Sequence, residues 1–276
     1  MADAHRVVIL GGGFGGLSAA RALRRAAVDV TLIDRCNYHL FQPLLYQVAT
    51  GSLSPANIAA PLRRVLRRQK NARVLLGEAV DIDAANRRVI LSDGEVRYDT
   101  LIVATGSGHH YFGHDQWEPH APGLKTIEDA TAMRSNILLA FEAAERETNP
   151  EKLRAWMTFV IVGAGPTGVE LAGALAEIAN DTLKNDFRNI DTAKSKILLI
   201  EGADRVLPTY PPKLSEAGRK MLAKLGVIVR TGTMVTDIGP EAVALREGER
   251  PEIVPTRTVL WAAGIKASPL GKILAE

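Results

Sequence analysis

The sequence predicts an α/β fold with two Rossmann-like nucleotide-binding domains, each with three layers around a parallel sheet and a small β-meander. Three observations lead to this prediction. A strand, a glycine-rich turn and a helix occur twice, each copy is followed by a strand that ends at an acidic residue, and the stretches after the two copies are similar in order and spacing. Strands that alternate with helices in this way are typical of parallel sheets covered by helices.

The first copy begins near the N-terminus. Arg6–Leu10 is a short β-branched apolar run that leads directly into GGGFGGL. Three glycines there have the spacing GxGxxG: Gly11, Gly13 and Gly16. Apolar residues then recur at helical spacing, and Val28–Ile33 is predicted as a strand that ends at Asp34. GxGxxG alone is weak evidence, but the order strand, turn, helix, strand and acid is specific for a dinucleotide site.

The second copy repeats this order. Thr158–Val162 leads into GAGPTGVELAG, and the next predicted strand, Ile197–Ile200, ends at Glu201. The glycines in the GxGxxG spacing are Gly163, Gly165 and Gly168. A polar segment between helix and strand moves the acid further along the chain than in the first copy. The structural alternative for either copy is a turn whose glycines pack helix on sheet and bind no ligand.

The repeat extends to the end of each domain. Gly11 and Gly106 are 95 residues apart, and Gly163 and Gly264 are 101 apart, which indicates an internal duplication. The proline- and glycine-rich stretch Pro119–Thr126 predicts a boundary, so residues 1–118 form the first domain and 119–264 the second. Residues 265–276 would begin a return to the first domain. A helix over 129–146, capped by an acidic residue or a threonine, would lead into the second domain.

Composition excludes several classes of protein. The chain has 276 residues, 46% of them hydrophobic, 5% aromatic, and a net charge of +3, so neither disorder nor a nucleic-acid partner is expected. One cysteine, Cys36, excludes a dithiol flavoenzyme, and the six histidines lack the spacing of a metal site. No apolar run reaches the roughly 18–20 residues of a membrane helix. Without a signal peptide, a cytoplasmic protein is expected, and attachment to a membrane surface stays open.

The repeated turns predict the chemistry. A glycine turn brings backbone N–H groups and a helix N-terminus towards a pyrophosphate, and the acid after the next strand accepts hydrogen bonds from a ribose. Two different dinucleotides suit hydride transfer, since a donor must lie beside an acceptor, and FAD with a pyridine nucleotide is the expected pair. Glu201 favours NADH because it would repel a 2′-phosphate. Arg205 is near enough in sequence to attract one, so use of NADPH stays open.

A longer segment gives a more specific resemblance. Asn37–Gly51, NYHLFQPLLYQVATG, and Leu53–Leu66, LSPANIAAPLRRVL, closely resemble the type II NADH:quinone oxidoreductases. GGGFGGL, IVATGS, VGAGPTGVELAG and LWAAG resemble that family in the same order, from about residue 5 to the last residue. The resemblance implies an enzyme with FAD in the N-terminal site and NADH in the second site. It would pass hydride from NADH to the flavin and electrons to a quinone without pumping protons.

The resemblance also implies roles for individual residues. For FAD, the pyrophosphate would be held by Gly11, Gly13, Phe14, Gly15 and Gly16, the ribose and adenine by Asp34, Arg35 and Val80, and the flavin ring by Gln42, Pro43 and Tyr46, with a turn formed by Ala104, Thr105 and Gly106. For NADH, the residues would be Gly163, Gly165, Pro166, Thr167, Gly168, Glu201, Ala263 and Gly264. Glu170 would be catalytic, near nicotinamide and quinone. Its alternative role is a carboxylate in the first helical turn, favoured by the helix dipole.

The chain departs from the family at its end. The family continues with a Gly-Asp segment that contacts the flavin, a quinone-site motif and an amphipathic membrane anchor. This chain has no Gly-Asp dipeptide and ends at Glu276, so a truncated product or a fragment is expected, with an FAD domain that lacks its returning strands. Membrane contact would depend on the anchor. A cytoplasmic location, which includes the cytoplasmic face of the inner membrane, is expected, and a homodimer is left open.

Three functional hypotheses follow. The first is the quinone reductase. The second is an NADH-dependent reductase of a ferredoxin-type acceptor, and the third is an inactive nucleotide-binding fragment. A sulfide:quinone reductase is disfavoured because it needs more than one cysteine. The basic run over 63–73 predicts a solvated helix face, with anionic-lipid contact as the alternative.

Overall fold

A computed structural model of the protein describes residues 4–275. In chain order, the helices are α1 (Phe14–Ala22), α2 (Leu45–Ala49), α3 (Pro55–Ile58), α4 (Leu62–Leu66), α5 (Ile127–Arg146), α6 (Pro150–Trp156), α7 (Pro166–Glu177), α8 (Pro212–Lys224) and α9 (Pro269–Ile273). The strands are β1 (His5–Leu10), β2 (Val28–Asp34), β3 (Tyr38–Leu40), β4 (Ala59–Pro61), β5 (Ala72–Leu76), β6 (Ala79–Asp83), β7 (Arg88–Leu91), β8 (Gly94–Arg97), β9 (Thr100–Val103), β10 (Ser107–His109), β11 (Thr158–Val162), β12 (Lys196–Ile200), β13 (Ile228–Arg230), β14 (Thr233–Ile238), β15 (Ala242–Glu247), β16 (Arg250–Pro255), β17 (Thr258–Trp261) and β18 (Ile265–Ala267).

The chain divides into two compact units. Unit 1 contains the chain up to Phe41, Pro55–Gly108 and the chain from Ile265 onwards. Unit 2 contains Gln42–Ser54 and His109–Gly264. These limits differ from the sequence-derived boundary at 118/119 because packing, and not the proline-rich stretch, determines them. Helix α2 packs against α5 and α7, and Tyr111 and Trp117 lie in the core of the second sheet.

Unit 1 has the three layers that the sequence predicts. Its four-stranded sheet has the order β5-β2-β1-β9, and every pairing is parallel. Side chains alternate between the faces of a strand. Val7 and Ile9 therefore pack with α1 and α4 on one face, whereas Val8 and Leu10 pack with the antiparallel meander β6-β7-β8 and with α9 on the other.

Unit 2 repeats this architecture. Its parallel sheet has the order β13-β12-β11-β17, the counterpart of the first sheet, and the antiparallel meander β14-β15-β16 packs on one face. Helices α5 and α7 form a helical layer on this sheet, in which α5 contacts β17 and α7 contacts β11 and β12. Thr126 caps α5 and accepts a hydrogen bond from the Asp129 N–H in a capping box. The predicted fold class, with its duplication, is therefore confirmed.

The meanders also share an irregularity. The register shifts between Ala79 and Asp81 in β6 and between Val235 and Asp237 in β14. A bulge of this kind redirects one side chain and is frequent beside functional sites. In unit 1 the extra residue is Val80, which is half exposed.

Candidate functional site

The glycine turn of unit 1 has three glycines with different reasons for lacking a side chain. Gly11 has φ +98°, and a Cβ there would overlap the carbonyl oxygen of Ala104. A Cβ on Gly16 would overlap the carbonyl oxygen of Gly11, so this glycine allows α1 to approach the turn. A Cβ on Gly13 would meet no atom within 4 Å. Gly13 is the N-cap of α1 and faces open space in which a ligand could approach the backbone.

Asp34 holds this turn in place. One of its oxygens accepts a hydrogen bond from the Gly12 N–H at 2.6 Å. The other accepts from the N–H groups of Cys36 at 2.8 Å and Asn37 at 2.9 Å. A carboxylate has about four acceptor positions, so Asp34 can still accept from a ribose hydroxyl. The acid therefore shapes the turn as well as presenting an acceptor to a ligand.

A cavity of about 480 Å³ opens beside the turn, within unit 1. Five of the residues assigned to FAD line it: Gly11, Asp34, Arg35, Val80 and Thr105. The sequence did not predict Glu78, Ser107 or the α9 segment Ser268–Ile273 as lining residues. For α9, the Ser-Pro pair that begins the helix was the available signal: Ser268 accepts a hydrogen bond from the Leu270 N–H. The open space at Gly13, the acid and the cavity together fit the ADP part of FAD.

The other residues assigned to FAD lie outside this cavity lining. Phe14 is about half exposed, with its ring 4.9 Å from the His39 ring and 5.6 Å from the Phe41 ring, edge to face. Gly15 is the second residue of α1, and Ala104 and Gly106 belong to the turn after β9, where Gly106 has φ +68°. The remaining three, Gln42, Pro43 and Tyr46, belong to unit 2. Their contact with the flavin ring stays a prediction.

The turn of unit 2 has the same backbone geometry as that of unit 1. Gly163 also has φ +98°, and a Cβ on Gly168 would overlap the Gly163 carbonyl oxygen. Gly165, like Gly13, faces open space. Glu201 accepts from the Ala164 N–H at 2.7 Å through one oxygen and from the Ala203 N–H at 2.9 Å through the other. Each oxygen retains a position for a ribose hydroxyl.

The first helical turn of α7 completes this arrangement. Pro166 occupies the first position, where its missing N–H costs nothing. The N–H groups of Thr167 and Gly168 precede the first internal bond of the helix, from the Val169 N–H to the Gly165 carbonyl. Arg205 has an Nη donor bonded to the Pro208 carbonyl oxygen at 2.8 Å. Its guanidinium is thus partly engaged within its own loop.

Ala263 and Gly264 form the turn after β17. Ala263 lies against the position that a Cβ on Gly163 would take, so this turn adjoins the glycine turn. Gly264 has φ +67° and lies beneath the Phe112 ring, which a Cβ there would approach to 2.8 Å. Phe112 is 60% exposed and has φ +54°, unusual for a bulky residue. Sequence reasoning missed Phe112, because its position depends on backbone conformation.

Glu170 lies in the second turn of α7, five positions after the N-cap Gly165, and not in the first turn as expected from the sequence. The helix begins at Pro166, so Glu170 is its fifth residue and lies just beyond the first turn. The macrodipole acts chiefly within the first turn, so it does not explain this carboxylate. The side chain of Glu170 is exposed at the surface, but partial desolvation raises its pKa. Within residues 4–275 it has no hydrogen-bond or ion-pair partner, and no neighbouring cation offsets this desolvation.

Glu170→Gln is expected to stabilise the protein near neutral pH and to change little in acid. Because the folded-state pKa is raised, the wild-type carboxyl favours the folded state below its unfolded pKa, and this contribution is lost as the pH rises through the folded pKa. Glutamine has no charge to desolvate. Urea unfolding of both proteins at about pH 4 and about pH 8 measures the difference. An equal difference at both pH values would contradict a raised pKa for this carboxyl.

Comparisons with known proteins agree with this geometry. The model of the pyridine nucleotide-disulphide oxidoreductase family matches residues 5–275. Two similar relatives come from Mycobacterium tuberculosis (strain ATCC 25618 / H37Rv). The type II NADH:quinone oxidoreductase Ndh is 48% identical over 99% of this chain and 60% of that protein. The type II NADH:quinone oxidoreductase NdhA is 50% identical over 99% of this chain and 59% of that protein.

A solved structure has a similar fold. NDH2 from Plasmodium falciparum in complex with NADH has a TM-score of 0.91 and 25% identity, over 98% of this chain and 57% of that chain. The resemblance of this sequence to the type II NADH:quinone oxidoreductases is therefore confirmed. The chain spans about 60% of the length of the two curated relatives it matches.

Proposed function

Because the chain belongs to the pyridine nucleotide-disulphide oxidoreductase family, we propose that it serves an FAD-dependent, non-proton-pumping transfer of electrons from NADH to a quinone. Its relatives from Mycobacterium tuberculosis are NADH:quinone oxidoreductases. The observation that carries the proposal is the duplicated turn, in which Asp34 and Glu201 hold equivalent backbone N–H groups beside a glycine that faces open space.

In this proposal, unit 1 binds FAD and unit 2 binds NADH. The backbone of residues 11–16 and Asp34 hold the ADP part of FAD in the cavity that Arg35 and Val80 also line. The backbone of residues 163–168 and Glu201 hold the ADP part of NADH. FAD supplies the two-electron chemistry when it is bound. Gln42, Pro43, Tyr46, Ala263 and Gly264 are assigned to the reacting rings by family resemblance.

Glu170 has the proton-handling role in this proposal. A carboxylate whose pKa is raised by partial desolvation, with no cation beside it, can take up or release a proton closer to neutral pH than an ordinary glutamate. The reduction of a quinone to a quinol consumes two protons, so a group of this kind near the acceptor is useful. A second role for α7 is the positioning of the nicotinamide half of NADH.

The acceptor determines where the protein would act. Quinones of respiratory membranes dissolve in the bilayer, so we place the activity at the cytoplasmic face of the inner membrane. No helix in residues 4–275 is both long and apolar enough to cross a bilayer. A homodimer is a further assembly to test.

An absorbance spectrum tests the proposal. The purified chain, mixed with FAD and freed of excess cofactor, is expected to keep a flavin band near roughly 450 nm that bleaches with NADH and returns on addition of a short-chain quinone. Faster reduction of a ferredoxin than of quinone would favour the ferredoxin-type alternative. A colourless protein that binds NADH without oxidising it would identify the chain as an inactive nucleotide-binding fragment.

A further inference from the structure

Charge is strongly segregated along this chain. Residues 5–28 and 35–77 contain 11 Lys and Arg residues and no Asp or Glu. Since the whole chain has 34 Lys and Arg and 31 Asp and Glu, the rest has 34 − 11 = 23 basic residues against all 31 acidic ones. The net charge of +3 is therefore the sum of a strongly basic part, residues 5–28 and 35–77, and an acidic remainder.

The fold gathers most of these cations in one layer of unit 1. Leu62 and Leu66 of α4 point into the core with Leu17 and Ala20 of α1, on the same face of the first sheet. Residues on the opposite side of each helix must then face solvent. These are the three arginines of residues 21–25 and the four arginines of residues 63–68, all exposed. We call these seven arginines the basic layer.

Two side-chain amides hold the halves of the basic layer together. The Gln69 side chain, 6% exposed, donates to the Ala20 carbonyl oxygen at 2.7 Å. The Asn71 side-chain nitrogen lies 3.0 Å from the Leu23 carbonyl oxygen and 3.2 Å from that of Val28. The end of α4 is therefore tied to the end of α1.

No acidic side chain neutralises the basic layer. Within residues 4–275, none of its seven arginines forms a salt bridge. One of them, Arg63, donates to the Val74 carbonyl oxygen. Clustered cations repel one another and raise the local potential. A surface that keeps this arrangement, while acids lie elsewhere in the chain, is complementary to a dense array of negative charge.

We propose that the basic layer docks the protein on anionic lipid headgroups, with unit 1 against the membrane surface. Clustered Lys and Arg on a helical surface attract anionic lipids, and each added cation strengthens binding severalfold. Nucleic acid is the less favoured occupant, because the segments 21–25 and 63–68 contain no aromatic side chain on which a base could stack. The proposal rests on the proposed function only in that a bilayer-dissolved acceptor requires contact with a membrane.

Vesicle co-sedimentation of the full chain tests the proposal. Wild-type protein is expected to bind vesicles of equal phosphatidylglycerol and phosphatidylcholine at least about tenfold more tightly than pure phosphatidylcholine vesicles. About 0.5 M NaCl should abolish the difference. The variant R24Q/R64Q/R67Q/R68Q should lose at least about tenfold in affinity for the anionic vesicles. These four arginines have no hydrogen-bond partner within residues 4–275, and an unchanged thermal unfolding transition shows that the variant folds.

The matched control removes the same charge from unit 2. The variant K152Q/K184Q/K213Q/K224Q changes four exposed lysines and should bind within about twofold of wild type. Equal binding of both vesicle types, equal losses in both variants, or tighter arginine-dependent binding of a DNA duplex would each overturn the proposal. The assay contains no NADH, flavin or quinone. The vesicle assay therefore gives a result for lipid binding whether or not the chain shows the flavin absorbance and its bleaching by NADH.

Discussion

Gly11→Ala is expected to destabilise unit 1 and to abolish its binding of FAD. The backbone at Gly11 has φ +98°, which costs an L-residue about 1–3 kcal/mol. The new methyl group would also overlap the Ala104 carbonyl oxygen, which belongs to backbone and cannot turn aside. Because Gly11 follows β1 directly, the collision would separate strands at the centre of the parallel sheet. Chemical unfolding and the flavin absorbance of the purified protein measure the two losses.

Gly13→Ala is the matched control for this prediction. Gly13 has φ −69°, and its Cβ would meet no protein atom within 4 Å, so the unfolding transition should stay within about 0.5 kcal/mol of wild type. FAD affinity should nevertheless fall at least about tenfold, since the methyl group occupies the space proposed for the pyrophosphate. Retention of full FAD affinity by Gly13→Ala would remove the pyrophosphate from this turn.

Glu201→Arg is expected to weaken NADH binding by more than about tenfold and to shift the preference towards NADPH. The substitution removes the ribose acceptors and places a cation where a 2′-phosphate would lie. It also removes the acceptors of the Ala164 and Ala203 N–H groups. Ala164 is fully buried, so its unpaired N–H should cost about 1–3 kcal/mol of unfolding free energy. Fluorescence titration with each nucleotide, together with urea unfolding, measures both effects.

Asp204→Arg makes the same change of charge three residues further on. Asp204 is exposed, and no hydrogen bond to its side chain is found in the described part of the chain. Unfolding and NADH affinity should therefore both stay near wild type. If the two variants lost NADH affinity equally, a general change of charge, and not the position of Glu201, would explain the result.

Local pattern was sufficient to predict the duplicated sheets. Strands β1, β11 and β12 each contain a continuous apolar run of at least four residues, and β2 is rich in β-branched and apolar residues. Each glycine turn also has the GxGxxG spacing that is typical of a dinucleotide site. The capped helix α5 was also readable, since Thr126 and Asp129 have the spacing of a capping box. These features depend on residues close together in the chain.

Features that depend on distant residues could not be predicted in this way. Gln42–Ser54 belongs to unit 2 because α2 packs against α5 and α7, which begin 78 or more residues after α2 ends. The α9 segment lines the cavity although it lies more than 150 residues after the other lining residues. Glu170 was expected in the first turn of α7 but lies just beyond it, because the start of a helix is uncertain from sequence by a few residues. The assigned contacts of the flavin ring stay predictions for the same reason.

The two carboxylate-held turns have a consequence for calorimetry. Since Asp34 and Glu201 already fix their glycine turns through backbone N–H groups, neither turn needs a nucleotide to acquire its shape. The turns therefore lose their conformational entropy when the protein folds and lose little more when a nucleotide binds. Binding should then resemble the docking of two rigid bodies. The heat-capacity change on titration would then reflect only the apolar surface that the nucleotide covers, without the larger contribution of a loop that folds around it.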